Sequence, residues 1–277
     1  MQDLDELLAM AREAGFRPDW AQAAGGNVSV KSGEKIYIKA SGCRLSEMDM
    51  QKGWVALDLK AARAVLDDTR YDSLPHAKQQ DLAGQDMLKA ILPGSPAGRP
   101  SLEAGFHLLG KRVCLHLHVV ELLAGASLAN GREWFSRTFA KSGLSWAWVD
   151  YRPPGQALAR LVASALGSVS PEPDLVIMKN HGVIAYADNA SQALDLIRRA
   201  QEACSAALGS LDGMEEALPW QPLCPDDVIY PDAVDLRAAN AKATLLASRA
   251  GVLEPLSSEQ CAALLGMEGE KYRQGLA

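Results

Sequence analysis

Cysteine is sparse in this 277-residue chain: the five present (Cys43, Cys114, Cys204, Cys224 and Cys261) are odd in number, far apart and without a Cys-x-x-Cys pair. That excludes a small secreted disulfide scaffold and favours reduced thiols in a cytoplasmic protein. The N-terminus carries acids (Asp3, Asp5, Glu6) where a secretion signal would carry Lys or Arg. No apolar run approaches the roughly 18 residues a bilayer-spanning helix needs, so no membrane partner is expected. Basic charge is also short. The 28 Lys and Arg stand against 34 Asp and Glu, a formal net charge of −6, which leaves no basic face for nucleic acid. Internal repeats and low-complexity tracts are missing too. What remains, 48% apolar and 22% charged, is ordinary globular usage, enough to bury a full core.

Hydrophobic periodicity orders the chain. Leu4, Leu7, Leu8 and Ala11 share a helical face that Gly15 ends. Val28–Lys31 and Lys35–Lys39, joined by Ser32-Gly33-Glu34, predict a hairpin, and Trp54–Leu59 a strand running into a helix over Ala61–Leu66. Asp67–Lys78 reads as loop, Gln79–Leu92 as a helix stopped by Pro93-Gly94, and Ser101 as the N-cap of a helix through about Leu109. Further strands are expected at Val113–His118, Ser145–Asp150, Asp174–Met178 and Val183–Tyr186. Helices are expected from Val120, over Gln156–Leu166 and after Asn189, with Leu194, Ile197 and Cys204 on the last one's apolar face. A linker rich in Pro, Gly and acids, Gly209–Pro231, leads to helices at Ala233–Ala250 and Ser257–Leu265. Strands mixed with helices, without regular βαβ alternation, predict an α/β sandwich: one domain over 1–209 and a helical extension, 210–277, packed on it.

Three of the five histidines carry a metal-binding pattern. His116 and His118 are two apart on a predicted strand, so both imidazoles face one side. His181 stands at the end of the next strand but one, and Gly182 lets the chain turn after it. Three neutral imidazoles suit Zn²⁺ and leave a coordination position open, the pattern of a catalytic ion. An isolated His-x-His also describes two packed histidines, and the spacing alone leaves both readings open. Glu103 fits a helix's first turn, complementing the macrodipole, with His107 four residues on to hold it. Gly25-Gly26-Asn27-Val28-Ser29 and Ala40-Ser41-Gly42 offer backbone N–H groups and hydroxyls to an anion, or simply form glycine turns.

In order and spacing, five blocks together resemble the class II aldolase/adducin family: Gly26-Asn27-x-Ser29, Lys39-Ala40-Ser41-Gly42, Pro100-Ser101-x-Glu103, His116-x-His118 and Asn180-His181-Gly182. The similarity spans about residues 5 to 205, and the wording around Gly26 and Lys39 is nearest the aldolase domain of rhamnulose-phosphate aldolase-like proteins. The resemblance implies an α/β/α sandwich with a mixed central sheet and homotetramers with sites at subunit interfaces. It implies His116, His118 and His181 as ligands of zinc, or of another divalent transition metal, and Glu103 as acid/base. It puts Gly26, Asn27, Ser29, Ser41, Gly42 and Ser101 at the substrate's phosphate. The implied reaction is cleavage of a ketose phosphate or related sugar through a metal-stabilised enediolate. Dehydration, decarboxylation and epimerisation are rival chemistries of the same site, and a non-catalytic adducin-like interaction protein is the rival of another class. Two departures stand out. Leu102 replaces a second serine before the glutamate. Tyr272, the only tyrosine in the last 40 residues, sits in a context unlike the family's proton-donating tyrosine. No Gly-x-Gly-x-x-Gly follows the linker, so no dehydrogenase half is expected.

Overall fold

Alternation along each strand leaves two apolar faces to cover, and the computed structural model, which describes residues 2–210 and 218–276, covers both. The elements follow in the order α1 (Gln2–Gly15), β1 (Asn27–Ser32), β2 (Lys35–Lys39), β3 (Trp54–Asp58), α2 (Leu59–Asp67), α3 (His76–Leu88), α4 (Ala104–His107), β4 (Val113–Leu117), α5 (Val120–Ala126) and α6 (Gly131–Phe139). They continue with β5 (Trp146–Val149), α7 (Gln156–Gly167), β6 (Leu175–Met178), β7 (Gly182–Ala187), α8 (Ala190–Leu208), α9 (Pro225–Ile229), α10 (Val234–Ala250), α11 (Ser258–Leu265) and α12 (Glu268–Gln274). The strands form one seven-stranded sheet in the order β3-β2-β1-β4-β7-β6-β5. Only β5 and β6 run parallel; the other pairs are antiparallel, so the sheet is mixed.

Period-two burial decides which layer each side chain joins. Val113, Leu115 and Leu117 of β4 enter the core under α1, α5, α6 and α8. Cys114 of the same strand enters the opposite core with α2 and α7, and His116 shares its face. The other strands sort likewise, Leu175 and Ile177 to one side and Val176 and Met178 to the other. The result is the expected three-layer α/β/α sandwich. Local signals place the helix starts: Asp58 accepts from Ala61 N at 2.7 Å, Asn189 from Gln192 N at 3.0 Å, and Ser257 and Gln260 form a capping box. Each such cap contributes about 1 kcal/mol.

Some expectations are corrected. The helix expected from Ser101 to about Leu109 shrinks to the four residues of α4, because Ser101 instead bends the chain, its hydroxyl accepting from Glu103 N at 3.2 Å. The loop expected over 67–78 holds a 3-10 turn at Thr69–Tyr71 and the start of α3, which opens after Pro75 and ends at Leu88, short of the expected Leu92. The expected linker contains α9, opened by Cys224 with Pro225 in the first turn; residues 211–217 of it lie outside the described residues. The sequence reading named no helix at α12.

The C-terminal elements pack onto the sandwich. α10 lies against α5 and α8, α12 against α3. Ile229, Tyr230, Leu236, Leu256, Leu264 and Met267 make a third apolar cluster that takes in Ala23 from the approach to β1. Among the described residues no helix is long and apolar enough to cross a membrane.

Candidate metal centre

The three histidines meet at one end of the sheet. His116 is on β4, His118 just beyond it, and His181 in the Lys179-Asn180-His181 turn that joins β6 to β7. In that turn Asn180, at φ 49°, adopts the left-handed conformation, a role the sequence reading gave to Gly182. Gly182 serves closeness instead: a Cβ there would lie 2.4 Å from Leu117 O, 2.9 Å from the His118 ring and 3.3 Å from the His116 ring. The imidazoles pack edge to face, with centroids 4.9 Å (His116–His118), 5.1 Å (His116–His181) and 5.5 Å (His118–His181) apart, and all three are buried.

Hydrogen bonding aims the rings. His116 Nδ1 lies 3.0 Å from Val183 O and donates to it, which leaves Nε2 as a free lone pair. His118 Nδ1 lies 3.1 Å from Asp226 Oδ2, again leaving Nε2 free, and the two Nε2 atoms are 3.2 Å apart. One nitrogen from each ring falls within 4.8 Å of the others. A tetrahedral ion with bonds of about 2.0–2.1 Å sets its nitrogen ligands about 3.3 Å apart, so the set fits a divalent transition metal. The outer nitrogens of His116 and His118 also have the acceptors that ligating histidines require.

Glu103 is wedged among the rings, its Oε1 2.7 Å from His181 Nε2 and its Oε2 3.6 Å from His116 Nε2. Asn27 Nδ2 donates to Oε2 at 2.7 Å. Burial pushes the Glu103 carboxyl up, but the neighbouring histidines outweigh it and hold the pKa well below the usual carboxylate range. Burial drives His116 strongly down. At His118 burial acts the same way, yet Asp226 overcomes it and raises the pKa.

The six residues expected at a phosphate do not gather at one cavity. Asn27 points at Glu103, and Ser29 is fully buried, its hydroxyl 2.9 Å from His107 Nδ1. His107 therefore holds Ser29 and not Glu103, since its ring turns under β1, where burial lowers its pKa to about 3. Gly26, at φ 72°, lies against His116 O, and Gly42, at φ 79°, lies under the Leu276 side chain. Ser41 and Ser101 do share a cavity, of about 300 Å³, together with Arg99, Leu102, Gln80 and Tyr272. It lies against the Ser101–Glu103 bend.

Three further charged groups reach the centre from the C-terminal elements. Asp226 of α9 is buried between His118 and Arg273, whose Nη2 donates to Asp226 Oδ1 at 2.6 Å. Arg273 Nη1 donates to Glu270 Oε2 at 2.9 Å, and the guanidinium lies 5.2 Å from the Tyr230 ring centroid. Glu270 is fully buried, and that burial raises its pKa to about 7. Lys39, also buried, donates to Ala24 O at 2.8 Å, and burial lowers its pKa to about 8. Nothing in the sequence aimed Asp226 at His118; Pro225-Asp226-Asp227 signals only a helix start.

The family model of the Class II Aldolase and Adducin N-terminal domain matches residues 5–208. The N-terminal class II aldolase domain of a conserved protein from Thermoplasma acidophilum is similar at 20% identity and a TM-score of 0.62, over 75% of this chain and 94% of that one. An L-fuculose 1-phosphate aldolase is similar at 16% identity and a TM-score of 0.53, over 90% of this chain and 95% of that one. A sugar-phosphate aldolase from Thermotoga maritima is similar at 17% identity and a TM-score of 0.53, over 76% of this chain and 97% of that one. At these identities the likeness speaks to the fold. None of the curated proteins compared with the chain matches it.

Proposed function

The chain belongs to the class II aldolase and adducin N-terminal domain family, and on that premise we propose that it is a zinc-dependent aldolase that cleaves a ketose phosphate or a related sugar. The observation that carries the reading is the convergence of His116, His118 and His181 on one point, with the Glu103 carboxylate among them. A non-catalytic interaction protein has no use for so costly a buried arrangement.

A bound divalent ion supplies Lewis-acid stabilisation of negative charge on the substrate's oxygens. His116, His118 and His181 hold it through nitrogens whose orientation Val183 O and Asp226 set for the first two. Glu103 moves the proton at its Oε atoms, with Asn27 fixing the carboxylate's direction. Substrate binds from the cavity lined by Ser41, Arg99 and Ser101, where hydroxyls and a guanidinium suit a phosphate. The five cysteines are free, which supports a reducing, cytoplasmic setting. The subunits assemble as a homo-oligomer, most simply a tetramer, which light scattering measures.

The test begins with metal content by elemental analysis. About one zinc or similar ion per wild-type chain, absent from His116→Ala, is expected. Glu103→Gln should keep the ion and lose turnover by about 10²–10⁴-fold; unchanged turnover would remove Glu103 from the chemistry. Product analysis on a panel of ketose phosphates then reads the reaction: an aldehyde plus a three-carbon fragment supports cleavage. Loss of water, loss of carbon dioxide or inverted stereochemistry would replace it with dehydration, decarboxylation or epimerisation.

A further inference from the structure

The proposed function uses the three histidines and Glu103, and Asp226 only as the acceptor behind His118; it gives no work to Glu270 and Arg273. Charged groups so far from water are costly, and natural chains keep them where they serve another group. Asp226 and Glu270 are 1% and 0% exposed, and the Arg273 side chain 13%.

The three form a continuous path from the last helix to the metal centre. Glu270 Oε2 accepts from Arg273 Nη1 at 2.9 Å, Arg273 Nη2 donates to Asp226 Oδ1 at 2.6 Å, and Asp226 Oδ2 lies 3.1 Å from His118 Nδ1. Neither His118 Nδ1 nor Asp226 Oδ2 has another polar partner among the described residues. The backbone is shaped around this contact: a Cβ on Gly25 would sit 2.2 Å from Asp226 Oδ2 and 3.2 Å from His118 Nδ1. Arg273 is the element that ties α12 to this path. The rest of α12 and its tail is held by Gly269 on Leu102, Tyr272 on Arg99, Leu276 on Gly42, and one hydrogen bond from Gln274 Nε2 to Ile229 O of α9 at 3.2 Å.

We propose that Asp226 and Arg273 are positioning residues of the metal centre, through which docking of the C-terminal helix α12 and binding of the ion strengthen each other. Asp226 fixes the His118 ring so that Nε2 faces the ion, as carboxylates behind ligating histidines do. Arg273 fixes Asp226, so the ligand is oriented fully only when α12 is docked. Linkage makes the effect reciprocal: whatever factor docked α12 adds to metal affinity, bound metal adds to the docking of α12. A plain structural ion pair would hold the tail in place without moving metal affinity. The inference rests on the three histidines binding a metal, as proposed above.

The experiment uses the full chain, stripped of metal, and Zn²⁺ as the probe. Zn²⁺ affinity is measured by competition with a chromophoric chelator in the wild type, His116→Ala, Asp226→Asn and Arg273→Gln. Hydrogen exchange of the α12 amides is followed with and without Zn²⁺. Asp226→Asn should weaken Zn²⁺ binding by about 10–100-fold, Arg273→Gln by a smaller factor, and Arg273→Lys should recover part of that loss. Zn²⁺ should slow exchange in α12 of the wild type and lose that effect in Asp226→Asn. Should Asp226→Asn fail to fold, Arg273→Gln, altered at the edge of the path, carries the same two readouts. Wild-type affinity in both variants, with binding lost only in His116→Ala, would overturn the coupling and leave the proposed metal centre standing. No Zn²⁺ uptake by the wild type itself would overturn both.

Discussion

His116, His118 and His181 stand on or next to strands that are paired on both sides, whereas Asp226 and Arg273 come from helices of five and seven residues. The first group inherits its geometry from ladder hydrogen bonds: Asn27 pairs with His116, and His116 in turn with Ile184. The second has no such lattice. Helices this short are not stable on their own, so their place depends on Tyr230, Met267, Leu264 and the charges themselves. One site is thus assembled from a part that stays put and a part that has to be held.

Two glycines break or sharpen that contrast most strongly. In Gly182→Ala the new Cβ meets the Leu117 carbonyl at 2.4 Å, and neither strand can yield. Overpacking of this kind costs about 1–3 kcal/mol and occasionally more, so a clear drop in urea midpoint is expected along with loss of metal. In Gly25→Ala the nearest atom is an Asp226 carboxylate oxygen at 2.2 Å, a side chain borne by the five-residue α9, with the Gln22 carbonyl next at 2.9 Å. A smaller midpoint shift is expected there, with faster proteolysis in the C-terminal elements. Equal midpoints and equal proteolysis for the two variants would erase the distinction.

Acid provides the next test. His107, at the end of α4 and hydrogen-bonded to Ser29 of β1, is buried neutral, with a folded pKa of about 3 against 6.5 as its ordinary value. Between those values the unfolded chain holds the extra proton, so stability falls as pH drops from about 6.5 toward 3, by up to about 1.4 kcal/mol per pH unit. Asp226 adds to acid lability with the opposite chemistry. Although burial opposes it, Arg273 and His118 hold its carboxyl below the ordinary range, and this stability is lost as protonation proceeds. His107→Gln should flatten the profile by one proton between pH 6.5 and 3 in urea unfolding followed across pH; an unchanged slope would mean His107 is already protonated in the folded state. The smallest effect belongs to Lys271→Ala. Its pair with Glu268 is half exposed at both ends, so a change within about 0.5 kcal/mol is expected from thermal melts.

The same contrast explains what could be read from the sequence. Strand alternation is local, so the hairpin at β1–β2, the His116-x-His118 face and the layers were visible as patterns of period two. Ser101 misled because its hydroxyl closes a bend at Glu103 N instead of opening a long helix. His107 misled because β1 crosses over it and supplies Ser29, a partner no helical spacing contains. Asp226 and Arg273 were out of reach altogether. Their meaning lies in who stands opposite, and His118 is remote in the chain from both. Periodicity reports which face a residue takes, but not which distant charge will meet it.

The turn between β6 and β7 has a consequence of its own. Three residues separate Met178 from its partner Gly182, and the hairpin they close delivers His181 to the centre. Two residues later it presents the Val183 carbonyl to His116. Lengthening or shortening the turn by one residue would send Val183's neighbours to the wrong face and displace His181 at the same stroke. The turn therefore works as a ruler. Two of the three rings read their positions from a single count of three.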